Sequence, residues 1–193
     1  PYNNVWSSDR DQINTRSGET PKFNDPMLNK QWHYKNTGDE TLVSPIKEGC
    51  DINVEPAWEF CTGDPSIIVA VMDEGVMYKH EDLAANMWVN QAELNGQKGV
   101  DDDGNGYVDD VYGYNFAKDQ GDITWTDPED SGHGTHVAGT ISAVNNNGIG
   151  VCGIAGGSGN NDGVKIMSIQ TFAGRYQSTI SRNVDAIYYA TSM

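Results

Sequence analysis

Ser66-Ile67-Ile68-Val69-Ala70-Val71-Met72 is a nearly continuous apolar run, rich in β-branched residues, that stops at the turn Asp73-Glu74-Gly75. Such a run predicts a strand buried on both faces, as in a parallel sheet. Val164-Lys165-Ile166-Met167-Ser168-Ile169 predicts a second core strand. Between the two, Val137, Ala138, Ile141 and Val144 recur at helical spacing just after Gly132-His133-Gly134. Beyond the second run, Ile180, Val184, Ile187 and Ala190 restore helical spacing. The order is strand, long loop, helix, strand, helix. That alternation predicts an α/β fold, a parallel sheet flanked by helices, with ligands at the carboxyl ends of the strands. Upstream, Pro56 in Val54-Glu55-Pro56-Ala57-Trp58 suits the first turn of a short helix, where its missing N–H costs nothing. Residues 1 to about 30 are polar and without period, an extended arm. Residues 90–131 are a polar insert rich in Asp, Gly and Asn.

Composition narrows the function. With 28 acidic against 12 basic residues the formal charge is -16. A nucleic-acid binder needs a basic face, and anionic lipid repels such a chain. Clustered carboxylates suit cations such as calcium instead. No apolar run is long enough to span a membrane. The chain opens Pro1-Tyr2-Asn3-Asn4 without a signal-peptide pattern, which reads as a processed or excised product. Cys50 and Cys61 flank one short segment and are read either as a small disulfide loop or as free thiols. Cys152, in a run of small and apolar residues, reads as a buried thiol.

Asp73 falls at the end of the first core strand and His133 at the start of the first core helix. Above a parallel sheet such a pair can meet and act as an oriented general base. The carboxylate fixes the imidazole tautomer, and the other ring nitrogen takes a proton from a nucleophile. On pattern alone, the alternative is a turn Asp and a helix-start His with no relation to each other.

The surrounding residues carry more. Val69-Ala70-Val71-Met72-Asp73-Glu74-Gly75-Val76, His80-Glu81-Asp82-Leu83, Ser131-Gly132-His133-Gly134-Thr135-His136-Val137-Ala138-Gly139-Thr140 and the stretch from Asn145 to Ala155 closely resemble the subtilisin-like serine proteases. The resemblance covers roughly residues 22 to 193 with gaps. It implies a subtilisin-like fold, incomplete here, with Asp73 as orienting carboxylate and His133 as general base. His136 matches a motif histidine that the family does not use as the base. The family usually carries Ser or Thr where this chain has Glu74, and Glu74 is expected to point into solvent. Ser192, in Ala190-Thr191-Ser192-Met193, imitates the family's nucleophile block. Ala190 replaces that block's Gly, and the stretch before it reads as a helix interior that puts Ser192 on the last turn of the helix, so the catalytic Ser and the oxyanion-hole Asn are expected on polypeptide absent from this chain. The resemblance further implies that Tyr176, Gln177 and Ser178 form an edge segment for extended substrate backbone.

Calcium is expected twice. In Asp101-Asp102-Asp103-Gly104-Asn105-Gly106-Tyr107-Val108-Asp109-Asp110, oxygen-bearing residues alternate around a Gly turn. Asp101, Asp103, Asn105, the Tyr107 carbonyl and Asp109 are the candidate ligands, and a solvated acidic turn is the alternative. The second site is implied by the resemblance. Asp25 on the arm, Asp82, and the loop from Asn145 to Val151 would share one ion. Asn147 (or Asn146) and the carbonyls of Val144, Ile149 and Val151 complete the set.

The combined expectation is a polar arm over residues 1–22 and the N-terminal part of a catalytic domain over 23–193. The expected protein is a calcium-stabilised serine endopeptidase that acts on polypeptides and is secreted, periplasmic or at the cell surface. The alternatives are an inactive scaffold kept for binding or adhesion, and a plain calcium module. The plain calcium module would hold Asp73 and His133 far apart.

Overall fold

A computed structural model describes residues 23–127 and 130–193; the proposed arm over residues 1–22 lies outside them. The elements are α1 (Glu55–Trp58), β1 (Ile68–Asp73), α2 (Gln91–Asn95), β2 (Gly113–Asn115), α3 (His133–Ser142), β3 (Lys165–Gln170) and α4 (Ile180–Ser192). Pro56 sits in the first turn of α1. The strands form one sheet of order β1-β3-β2, and β3 pairs with both neighbours in parallel. Parallel pairing requires a crossover, and the segment carrying α3 provides it between β1 and β3.

Strand β3 is the buried centre. Ile166 joins Val71, Val76, Leu83, Met87 and Ala138 of α3 on one side. Met167 and Ile169 join Tyr114, Phe116, Ala186 and Tyr189 on the other. Helix-lined faces on both sides are what a parallel sheet needs.

Four sequence expectations change. First, β1 is not buried on both faces: among its residues only Val71 and Asp73 are buried. Ile67 and Ile68 are 52% and 42% exposed. Second, α3 stops at Ser142, so Val144 lies beyond the helix, where its N–H donates to the Asp82 carbonyl at 2.8 Å. Third, α4 turns Ala186 and Tyr189 inward, while Ile180, Val184 and Ile187 face outward, Ile180 at 85% exposure. Fourth, the polar insert holds the short strand β2. Its buried Asn115 is satisfied locally, accepting from the Lys118 N–H and donating to the Asp122 carbonyl.

The segment from Phe23 to Trp58 is anchored by packing. Tyr34, Val54, Trp58 and Cys152 form a buried cluster with Phe23 and Leu28 against it. The Trp58 indole donates to the Ile154 carbonyl at 2.8 Å, and the Tyr34 hydroxyl to the Cys152 carbonyl at 2.9 Å. All three cysteines are free, Cys50 and Cys61 exposed and Cys152 buried.

Candidate active site and cation sites

The register of β1 on β3 places Asp73 beside Gln170, and the Asp73 carbonyl accepts from the Thr171 N–H at 3.0 Å. The strand therefore ends at a fixed point. Beyond it the chain reverses at Gly75, whose φ of +106° suits glycine; a Cβ there would lie 2.0 Å from the Thr124 carbonyl oxygen. Helix α3 begins directly above this turn. His133 Nδ1 lies 2.7 Å from Asp73 Oδ2. With the proton on Nδ1 the ring donates to the carboxylate, which leaves Nε2 as an acceptor. The other Asp73 oxygen accepts the Glu74 N–H at 2.8 Å. The Asp73 side chain is 10% exposed and the His133 ring 64% exposed. A held carboxylate behind a reachable imidazole is the arrangement of an oriented base. The 2.7 Å contact overturns the plain calcium module, which required the two side chains to be apart.

Gly134 makes the close approach possible. A Cβ at this position would lie 2.4 Å from the Gly75 carbonyl oxygen and 3.2 Å from Asp73 Oδ1. Gly134→Ala should therefore push α3 away from the strand end. Alanine favours a helix interior by about 1 kcal/mol, but overpacking costs about 1–3 kcal/mol. The expected outcome is a lower melting temperature together with a loss of kcat, measured on the complete protein.

Glu74 does not point into solvent. Its side chain is buried, and its oxygens accept from the N–H groups of Ser131 and His133. Ser192 lies on the last turn of α4, where its hydroxyl donates to the Tyr189 carbonyl at 2.8 Å. That is the last-turn placement the sequence indicated.

Asp25, Asp82 and the 145–151 loop meet. Asp25 Oδ2 accepts from the Asn146 N–H at 2.7 Å and from the Cys152 thiol at 3.2 Å. Asp82 accepts from Asn147 Nδ2 at 2.8 Å and from the Val151 N–H at 2.9 Å. Both carboxylates are buried, and neither has an ion-pair partner among the described residues. Burial, opposed by the bonds from Val151 and Asn147 and aided by the Asp25 charge, pushes the Asp82 carboxyl above the usual range. Among the described residues, the carbonyls of Val144, Ile149 and Val151 accept no backbone hydrogen bond. Two buried, unneutralised carboxylates beside free carbonyls fit a hard cation.

The acidic loop is built differently from its spacing. Asp101 and Asp103 converge, but their third partner is Glu93 of α2, with one ligand atom of each within 4.8 Å of the others. Glu93 is buried, and its oxygens accept the N–H groups of Asp102 and Asp109. The Asp109 carboxylate turns away and accepts the Gly99 N–H at 3.0 Å. The Asn105 amide donates to Asp103 and to the buried Asp110, and its oxygen accepts the Tyr107 N–H. The Tyr107 ring packs on Tyr114, Phe116 and Tyr189. Sequence reading missed Glu93 because it precedes the loop. The available signal was Asn90, whose side chain accepts the Ala92 N–H and starts a helix that leads into it.

The proposed substrate segment lies at the end of β3. Tyr176 makes an antiparallel bridge with Ala173 and is exposed. The Gln177 carbonyl accepts from Arg182, and the Ser178 hydroxyl donates to Asn183. The Gly174 N–H donates to Asp130 at 2.8 Å.

Fold and pair define a class: a parallel-sheet α/β protein with an oriented Asp–His pair above the strand ends. The profile of the subtilase family matches residues 64–193. Subtilisin-like protease 1 of Plasmodium vivax is 44% identical over 137 residues, 71% of this chain and 19% of that protein. Neuroendocrine convertase 2 of Bos taurus is 36% identical over 135 residues, 70% of this chain and 18% of that protein. A serine protease of Aeromonas sobria, solved in complex with the chaperone, covers 84% of this chain and 22% of its own. Its TM-score is 0.60 at 27% identity. This chain belongs to the subtilase family. It spans about a fifth of the length of the curated relatives it matches.

Proposed function

We propose that residues 23–193 supply the general-base half of a calcium-stabilised serine endopeptidase. The observation that carries this reading is the 2.7 Å contact between His133 Nδ1 and Asp73 Oδ2, with the ring open to solvent on its far side. The nucleophilic Ser and the oxyanion-hole Asn come from further polypeptide. His133 Nε2 takes the proton of the serine hydroxyl as its oxygen bonds to the scissile carbonyl carbon. The imidazolium then donates that proton to the leaving amine, and a water repeats the cycle on the acyl-enzyme. Asp73 keeps Nδ1 protonated and stabilises the imidazolium throughout. Tyr176, Gln177 and Ser178 are proposed to line the extended substrate backbone, supported by their place just beyond β3.

Two calcium sites complete the reading. Asp25, Asp82, Asn147 and the carbonyls of Val144, Ile149 and Val151 would hold one ion. Asp101, Asp103 and Asn105 would hold the other, with Glu93 taking the place expected of Asp109. Calcium there would supply the positive charge these carboxylates lack and tie segments distant in sequence to one another. Among the described residues, no helix is long and apolar enough to cross a membrane. An exported setting (secreted, periplasmic or cell-surface) is part of the proposal, resting on the calcium sites.

The test is covalent. A fluorophosphonate probe should label one serine of the complete, calcium-loaded protein. Labelling should vanish in His133→Ala. A folded protein that takes no label is an inactive scaffold, and the protease reading fails.

A further inference from the structure

Helix α3 starts without a cap of its own. Its first N–H groups have no intrahelical partner, and the residue before the helix is Gly132, at φ 80°, with no side chain to offer. The missing acceptor comes from the turn that follows β1. Glu74 Oε1 accepts the His133 N–H at 2.5 Å and the Ser131 N–H at 3.0 Å, while Oε2 accepts the Ser131 N–H at 3.2 Å. The Ser131 hydroxyl lies 3.3 Å and 3.4 Å from the same two oxygens. Glu74 is 6% exposed, and among the described residues no basic side chain pairs with it. Its charge rests on N–H and O–H donors and on the positive end of α3, where an anion is favoured. The Glu74 backbone is also fixed, because its carbonyl accepts from Gln170 of β3 at 2.9 Å.

We propose that Glu74 is a positioning residue for His133, resting on the reading of His133 as the general base. The last residue of β1 and the one that follows it then grip one histidine. Asp73 holds its ring, and Glu74 holds its backbone and the entry to its helix. The ring angle toward the nucleophile depends on both. A carboxylate beside a catalytic Asp has another use, to face the substrate and pair with a basic side chain. Burial and the contacts to Ser131 and His133 leave both Glu74 oxygens committed to the helix start instead.

The complete enzyme is assayed as Glu74→Ala, Glu74→Gln, Asp73→Asn and His133→Ala, on peptide substrates that differ only in carrying a basic or a neutral residue beside the scissile bond. Each variant is checked by melting temperature in calcium, and His133 is followed through its low-field Nδ1–H proton resonance. Glu74→Ala should lower kcat by about 10- to 100-fold, the scale of a small misplacement of a catalytic group. KM should stay within about twofold, equally for both substrates. Glu74→Gln keeps an oxygen for the His133 N–H and should recover most of the loss. The His133 resonance should broaden or shift in Glu74→Ala and stay near its normal position in Glu74→Gln. An unchanged kcat in Glu74→Ala overturns the proposal. So does a loss confined to KM for the basic substrate, or a loss of kcat with the resonance unmoved. Full activity in His133→Ala would instead overturn the general-base reading, and the resonance would still decide whether Glu74 positions the ring.

Discussion

Replacing Asp73 by Asn lowers kcat of the complete enzyme by about 10⁴-fold, a magnitude taken from triads of this kind. The cause is a tautomer. Asn keeps the shape and can still accept the Glu74 N–H through its oxygen, as Asp73 Oδ1 does at 2.8 Å. Its amide then presents hydrogens toward His133 Nδ1, now 2.7 Å from a carboxylate oxygen. Nδ1 must become the acceptor, so the ring proton moves to Nε2, the atom that has to take the serine proton. Binding is untouched, so KM should hold while kcat falls. The melting temperature should change little, because Asp73 is replaced by a group of equal volume. A kcat within tenfold of the parent protein would show that His133 is not the base.

Chelation of calcium lowers the melting temperature of the complete protein by roughly 8–16 °C per site when the ion is at about a thousandfold excess over its Kd. That follows from about 4 kcal/mol of binding linkage and about 2–4 °C per kcal/mol for a domain of 150–250 residues. The site at Asp25 and Asp82 should dominate. Without a cation it keeps two carboxylates buried that have no ion-pair partner among the described residues. The pH dependence has a definite sign. The Asp82 carboxyl is pushed above the usual range, by burial first. In the chelated protein this charge opposes folding, and the penalty is relieved as pH falls through the raised value. Calcium needs the deprotonated form, so its stabilisation is lost over the same interval. The calcium-loaded and chelated melting curves should therefore converge on the acid side and separate toward neutral pH. Curves that coincide at neutral pH would mean that neither site binds.

Much of this was legible in the primary structure. The β-branched run ending at Asp73 and the helical spacing after the glycine-flanked His133 gave the strand and the helix, because each signal is local, whereas the expectation that Asp73 and His133 meet came from the resemblance. Asp25, Asp82 and the 145–151 loop came from resemblance alone, and the structure brings all three together. What stayed hidden depends on partners distant in sequence. A turn Glu looks solvated until the helix start that needs its oxygens is placed over it. Glu93 sits outside any loop spacing and is recruited by α2. Burial of β1 was overread, since a continuous apolar run does not say how many neighbours the strand has. The outward stripe of α4 was overread in the same way: Ile180, Val184 and Ile187 keep helical period, yet Ala186 and Tyr189 make the contacts.

The pairing of β1 with β3 has a kinetic consequence. Ile68 meets Lys165 and Asp73 meets Gln170 only after the whole insert and α3 have been looped out between them. Closing so long a loop costs entropy before any contact repays it, so this pairing belongs to the slow, late class of folding events. The acidic loop and α2 close over a few residues and can form early. During the interval the apolar edge of β1, with Ile67 and Ile68, stands open to any other strand. A chain of this design folds best when its local loops are already stiff, and aggregates in competition with that one long-range closure.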